Sequence, residues 1–175
     1  KVGSRLLEHL LEDGAQVVVT DLRPERVEAV CAAHPGVVGV EPAAIYDQPC
    51  DIFSPSALGG VLNDETIPRL RCAAVAGSAN NQLAEPRHGD LLHSRGILYA
   101  PDYVINAGGL IQVADEILGY NPDRARRKTA AIYDLLLQIF AISEKERVPT
   151  YIAADRLAEQ RVERAGRLRG IYIPE

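Results

Sequence analysis

The sequence predicts an α/β fold: a doubly wound parallel sheet followed by a set of helices at the C-terminal end. Three observations predict it. Short apolar or β-branched runs alternate with helical patterns from the N-terminus to about Ala107, the order that right-handed crossovers between parallel strands require. The runs, such as Gln16-Val17-Val18-Val19-Thr20, are continuous rather than alternating, as in strands covered on both faces. Beyond Asn121-Pro122 only helical periodicity remains.

Each element has its own signal. Val2, Leu6, Leu7, Leu10 and Leu11 form one helical stripe, so a helix covers about residues 3–13 and ends at Asp13-Gly14, with Gly14 at the C′ position. Gln16 to Thr20 is a buried parallel strand that stops at Asp21. Pro24 opens a helix to about Ala33. Val37 to Val40 is a minor strand. Cys50 to Ser54 is a strand halted by Pro55 and followed by Ser56-Ala57-Leu58-Gly59-Gly60. Thr66 to Leu70 is a short helical turn. Strand Cys72 to Ala76 runs into Gly77-Ser78-Ala79-Asn80-Asn81, and a helix from about Pro86 to Arg95 is closed by Gly96. The last strand, Ile97 to Ala100 and on to Val104-Ile105, runs into Asn106-Ala107-Gly108-Gly109.

Helices follow. The first carries Leu110, Ile111, Ala114, Ile117 and Leu118 on one stripe. Pro122 starts a longer one with Ile132, Leu135, Leu136, Ile139 and Phe140 on its apolar side, and Pro149 begins a last one with Ile152, Ala153, Leu157 and Ala158. No structure is assigned to the tail from Gly166. The division expected is a sheet core over residues 1–121 and a helical segment over 122–175. The wide apolar faces of the latter imply a covering surface outside this chain.

The bulk numbers are those of a globular domain, 47% apolar and 25% charged. A net charge of −5 gives no nucleic-acid footprint. The basic run Arg124, Arg126, Arg127 and Lys128 is read as a solvated face. No apolar run is long enough for a membrane span, and no signal peptide is visible. Cys31, Cys50 and Cys72, an odd set with no C-x-x-C, fit a reducing cytoplasm. His9, His34, His88 and His93 lack metal-ligand spacing, so no metal site is expected. The chain opens with Lys1 and contains no Met, which points to a piece of a longer polypeptide cut at its N-terminus.

Function concentrates at the strand ends, where open α/β sheets bind ligands. Three successive main strands end in small, turn-competent residues. Glycine permits close backbone approach. The amides of Asn80, Asn81 and Asn106 offer donors and acceptors, suited to an uncharged polar group such as a carboxamide. Any single cluster reads equally as plain turn chemistry; their equivalent placement on successive strands favours a site. Pro55 fixes the chain direction, and the small residues after it leave room for a flat ring or a ribose. Gly3, a helix, a strand and Asp21 match the latter part of a dinucleotide fingerprint. Gly3 takes the place of its last glycine, and Asp21 that of the acid that accepts from ribose hydroxyls and repels a 2′-phosphate, favouring NAD over NADP. An Asp there is equally well a turn or N-cap residue. A methyltransferase-type site and a non-catalytic nucleotide-binding module use the same scaffold and stay open at this point.

The stretches CDIFSPSALGGVLNDETIP, AGSANNQL and above all GILYAPDYVINAGGLIQVADE resemble the Glu/Leu/Phe/Val dehydrogenases, and most closely the bacterial leucine, valine and phenylalanine enzymes. The likeness runs from Gly3 to the helix Ala153 to Arg161. It implies the C-terminal, Rossmann-like NAD-binding domain, entered inside the fingerprint so that the first strand is missing. The implied reaction is reversible oxidative deamination of an L-amino acid to the 2-oxo acid and ammonia, in a cytoplasmic homo-oligomer that binds neither nucleic acid nor membrane. By resemblance Gly3 abuts the pyrophosphate turn and Asp21 holds the adenosine ribose. Ser56, Ala57 and Leu58 line the nicotinamide riboside, and Asn80 and Asn106 lie by the carboxamide. Asn81 lies near the substrate, whose side chain meets Leu110 and Val113. Leucine at the position of Leu110 is typical of the phenylalanine enzymes and valine of the branched-chain ones, which leans the substrate towards phenylalanine. A swap there is worth roughly 0.8 kcal/mol per buried methylene, enough to tune preference without fixing it. Ser56 departs from the family's frequent cysteine, a nearly isosteric change. The family's catalytic lysine and aspartate belong to an N-terminal domain with no counterpart here, so this chain alone is expected to turn over no substrate.

Overall fold

A computed structural model describes residues 2–117 and 119–168 of the chain. The first half alternates: α1 (Val2–Glu12), β1 (Val18–Val19), α2 (Pro24–Ala33), β2 (Val38–Gly39) and β3 (Ile52–Phe53), with a 3-10 segment at Pro42–Asp47 before β3. A 3-10 turn (Ile67–Arg69) leads to β4 (Ala74–Val75), α3 (Arg87–Ser94) and β5 (Leu98–Tyr99). Four helices follow: α4 (Asp102–Ile105), α5 (Gly108–Ile117), α6 (Pro122–Glu146) and α7 (Thr150–Leu168).

Every ladder is parallel. The strands fall into a β1-β2 pair and a β3-β4-β5 sheet. A dinucleotide fold runs in the order 3-2-1-4-5-6. The observed orders β2-β1 and β3-β4-β5 match its 3-2 and 4-5-6 in sequence, and among the described residues no strand pairs β1 with β3. The burial follows. Val18 and Val19 are half-buried rather than buried as the sequence predicts, and Ile52 is 58% exposed. A strand with one open edge and few neighbours keeps part of its apolar surface in water.

One core lies between α3 and the β3-β4-β5 sheet, built from Leu62, Ile67, Leu70, Val75, Leu92, Ile97 and Tyr99. A second joins α4, α6 and α7 through Val104, Ile139, Ala153 and Ala154, with the predicted stripe of Ile132, Leu135, Leu136 and Phe140 packed on it. The last helix is drawn close to α3 at Gly89, where a Cβ would stand 2.5 Å from the Tyr151 ring. Two hydroxyls secure it: Tyr151 donates to Asp90 at 3.2 Å and Tyr103 to Asp155 at 3.0 Å.

Four local expectations are corrected. Val104 and Ile105 belong to helix α4, not to a continued strand. Pro101 precedes that helix, and the buried Asp102 carboxylate accepts from the Tyr103 N–H at 2.9 Å, which starts the turn. Helix α7 runs on through Gly166 to Leu168; the remaining tail lies outside the described residues. The predicted stripe of α5 is not a buried face: Leu110 is 73% and Ile117 82% exposed, and Asp115 is the residue with no exposure; Leu118 lies outside the described residues. Arg124, read as solvated, is the partner of that buried acid.

Asp115 fixes the α5–α6 turn. Its carboxylate accepts from the Asn121 N–H at 2.7 Å and from Arg124 Nε. Arg124 also donates to the Gly119 carbonyl at 2.7 Å, while the Asn121 side chain caps α6 by accepting from the Arg124 N–H at 2.9 Å. The Arg124 guanidinium, helped by the Asn121 N–H, holds the Asp115 carboxyl below the usual carboxylate range. A folded-state value below the unfolded one stabilises the fold at pH above the unfolded value, and that contribution is lost as pH falls through the lowered folded value. Asp115→Asn is therefore expected to melt several degrees lower at neutral pH. Its deficit should shrink as the pH drops below about 3.9. Calorimetry of parent and variant across that range checks this; a deficit independent of pH counts against the ion pair.

Candidate functional site

Three loops leave the carboxyl ends of β3, β4 and β5 and lie against one another. The Ala79 N–H donates to the Pro55 carbonyl at 3.0 Å, and the Gly60 N–H to the Asn81 carbonyl at 2.7 Å. The contact is too close for side chains. A Cβ on Gly77 would fall 2.1 Å from the Pro55 oxygen, and one on Gly59 would fall 2.8 Å from both the Asn80 and Asn81 oxygens. Gly3, in the first turn of α1, faces the same loop: a Cβ there would meet Ser56 Cβ at 3.6 Å, ordinary contact distance. The described residues alone therefore leave room for a methyl group at Gly3.

Asn80 and Asn106, on adjacent strand ends, meet directly. Asn106 Nδ2 donates to Asn80 Oδ1 at 2.6 Å and to the Ala79 carbonyl at 3.3 Å. A carbonyl only accepts, so Ala79 dictates which end of the Asn106 amide faces it. That orientation in turn dictates the one at Asn80. The pair keeps one donor, Asn80 Nδ2, and one acceptor, Asn106 Oδ1, with no partner among the described residues. This is the complement of a carboxamide. Asn81 follows in the left-handed region at φ 51°, a conformation its short amide tolerates. Its side chain is exposed and its carbonyl is held by Gly60.

Beneath the pair lie two buried polar residues that the sequence pattern does not single out. Gln82 has no exposure; its Nε2 donates to the Gly77 carbonyl at 2.8 Å and the Ala79 carbonyl at 2.9 Å. Its backbone N–H donates to Asp102 Oδ2 at 2.9 Å. The Asp102 N–H donates to the Tyr99 hydroxyl at 3.2 Å, and burial pushes that phenol well above its ordinary range. A Gln after two Asn reads as more loop; only the Pro101-Asp102 helix start offered a signal.

The other expected residues are placed differently. Asp21 follows β1, in the two-stranded sheet, and its first task is local: Oδ1 accepts from the Arg23 N–H at 3.0 Å and Oδ2 from Arg26 at 3.4 Å. The Arg23 N–H holds its carboxyl below the usual range. No contact joins Asp21 to the other candidates among the described residues. Ser56 donates to the Ser54 carbonyl at 3.3 Å, while Ala57 and Leu58 are exposed. Leu110 and Val113 stand on the exposed face of α5. A cavity of about 580 Å³ lies along β5 beside α6, lined by Gly96, Leu98, Tyr99, Phe140, Glu144 and Arg147, and none of the candidate site residues lines it. Among the described residues no group of three or more His, Cys, Asp or Glu could hold a metal ion.

Parallel strands whose carboxyl ends bring three close-packed loops together are the architecture of a Rossmann-like, doubly wound α/β domain. Within that class, the chain belongs to the Glutamate/Leucine/Phenylalanine/Valine dehydrogenase family, which it matches over residues 6–170. It is 52% identical over 172 residues to leucine dehydrogenase of Geobacillus stearothermophilus, covering 98% of this chain and 47% of that protein. It is 54% identical over 167 residues to valine dehydrogenase of Streptomyces albus, covering 94% and 46%. The crystal structure of L-tryptophan dehydrogenase from Nostoc punctiforme matches with a TM-score of 0.91 at 47% identity, covering 94% of this chain and 49% of that one. The chain thus spans about half the length of the curated relatives it matches. Family membership removes the methyltransferase reading.

Proposed function

We propose that this chain is the NAD-binding part of an amino acid dehydrogenase that converts an L-amino acid reversibly to its 2-oxo acid and ammonia. The observation that carries the reading is the Asn80–Asn106 pair, a fixed donor beside a fixed acceptor at adjacent strand ends, in a chain of this family. NAD, when bound, would supply the acceptor for the hydride that oxidation of the amino acid releases. The chain's own contribution is placement. Asn80 and Asn106 would hold the cofactor's carboxamide. Ser56, Ala57 and Leu58 line the riboside, and Gly3 adjoins the pyrophosphate. Asp21 offers the ribose hydroxyls its Oδ2, which among the described residues is engaged by the long Arg26 contact alone. Asn81 stands near the substrate, and Leu110 and Val113 wall its side chain, supported by their exposure on α5.

Residues 1–121 form the cofactor core in this reading. Residues 122–175 pack on it and on a catalytic part, outside this chain, that supplies the lysine and aspartate. The substrate is an amino acid with an apolar side chain, phenylalanine by the lean at Leu110. A cytoplasmic homo-oligomer is part of the same proposal. It is supported by three unpaired cysteines and by exposed apolar groups such as Tyr133 and Leu137 on α6. No helix among the described residues is long and apolar enough to cross a membrane.

The test is calorimetric titration of the whole protein with NAD and NADP, alongside NADH production from L-leucine, L-valine and L-phenylalanine. The expected result is tighter binding of NAD than of NADP and turnover of at least one amino acid, with none by this chain alone. Nucleotide binding without turnover of any amino acid by the whole protein indicates a non-catalytic module and overturns the proposal.

A further inference from the structure

We infer that Gln82, anchored by Asp102, is a positioning residue that holds the Ala79 carbonyl in place and, through it, keeps the Asn80–Asn106 amide pair placed for a carboxamide. The inference rests on the proposal that this pair receives the cofactor's carboxamide. Its geometry is a relay. Gln82 Nε2 holds the Ala79 carbonyl at 2.9 Å, and that carbonyl belongs to the peptide unit that delivers Asn80. The same oxygen receives Asn106 Nδ2 at 3.3 Å, which orients the Asn106 amide and, through the 2.6 Å bond, the Asn80 amide. A second donor hydrogen holds the Gly77 carbonyl at 2.8 Å, so one side chain ties two carbonyls of the loop after β4. Asp102 closes the frame. It accepts from the Gln82 N–H at 2.9 Å and from the Tyr103 N–H at 2.9 Å, joining that loop to α4, the helix that leads into Asn106.

The choice of side chain supports this. Gln82 Oε1 is buried and has no partner. A buried unpaired acceptor costs free energy that an apolar residue of the same size avoids. Glutamine's advantage at this position lies in its two donors, both spent on backbone carbonyls of the loop that carries Asn80. Both carbonyls are obligate acceptors, so the Gln82 amide has a single orientation.

The experiment uses the whole protein and two cofactors, NAD and the analogue with an acetyl group in place of the carboxamide. The acetyl group keeps the acceptor oxygen and lacks the N–H donors. Gln82→Met keeps the side chain's length and removes both donors. The expected result is a KM for NAD, and a dissociation constant by titration calorimetry, raised about tenfold, the size of one lost hydrogen bond, with both values for the acetyl analogue within about twofold of the parent, so that the ratio between the cofactors collapses. Loss of fold alone lowers the active fraction and leaves both KM values and their ratio in place. Asp102→Asn removes one acceptor from the frame while sparing the Gln82 side chain; it is expected to move the ratio the same way, and it decides the matter if Gln82→Met does not fold. A parent that discriminates between the cofactors, with variants whose ratio is unchanged, overturns the role of Gln82 alone. A parent that does not discriminate overturns the carboxamide reading and this inference with it.

Discussion

Gly77→Ala is expected to destabilise the chain by about 4 kcal/mol or more, at the exceptional end for a single methyl group. The added Cβ would sit 2.1 Å from the Pro55 oxygen, 2.6 Å from the Pro55 nitrogen and 2.7 Å from its Cδ. None of these atoms is the end of a flexible side chain. Two are backbone and the third is locked in a ring, so no rotamer change relieves the collision. Relief requires the β3 and β4 loops to separate, which breaks the Ala79-to-Pro55 bond at 3.0 Å and strains the Gly60-to-Asn81 bond at 2.7 Å. Gly109→Ala is the control. A Cβ there meets nothing within 4 Å and its φ is not left-handed, so its stability should stay within about 1 kcal/mol of the parent. Urea denaturation of the two variants checks the contrast. Equal midpoints would show that the loops do not press together at Gly77.

The parts of this fold open to a sequence reading are those where one physical rule decides. The stripe from Ile132 to Phe140 reads as a packed helix face because helical spacing leaves those side chains no other direction, and they line the second core. The glycine-rich strand ends read as neighbours because parallel strands share one carboxyl-terminal side, and the loops there do touch. Where two rules compete, the pattern fails. Val104-Ile105 looks like strand continuation by side-chain type, yet Pro101 and the Asp102 carboxylate start a helix. On α5 the periodicity is real, but among the described residues Leu110 and Ile117 of the stripe stay exposed. The buried position goes instead to Asp115, whose charge is invisible as a core residue until Arg124 is seen beside it. Gln82 is hidden for a related reason: nothing local separates a buried glutamine with two carbonyl partners from an exposed one.

Asn106→Leu is expected to weaken NAD binding roughly 30-fold, from about 2 kcal/mol for an amide that both orients its neighbour and contacts the ligand, while moving the melting temperature little. Leucine is close to asparagine in shape, so packing at this half-buried site is preserved and the loss is chemical. The substitution removes the acceptor Oδ1 and also frees Asn80, whose Oδ1 then has no donor at 2.6 Å and whose amide is at liberty to turn. Asn80→Ala alone should cost a comparable amount, because the pair works as one donor–acceptor unit. The double variant should then cost much less than the sum of the two, since residues in direct contact couple where distant ones add. Titration calorimetry of the four proteins closes the cycle. Strict additivity would mean that each asparagine meets the cofactor independently, and the fixed polarity argued from the Ala79 carbonyl would then have no consequence for binding.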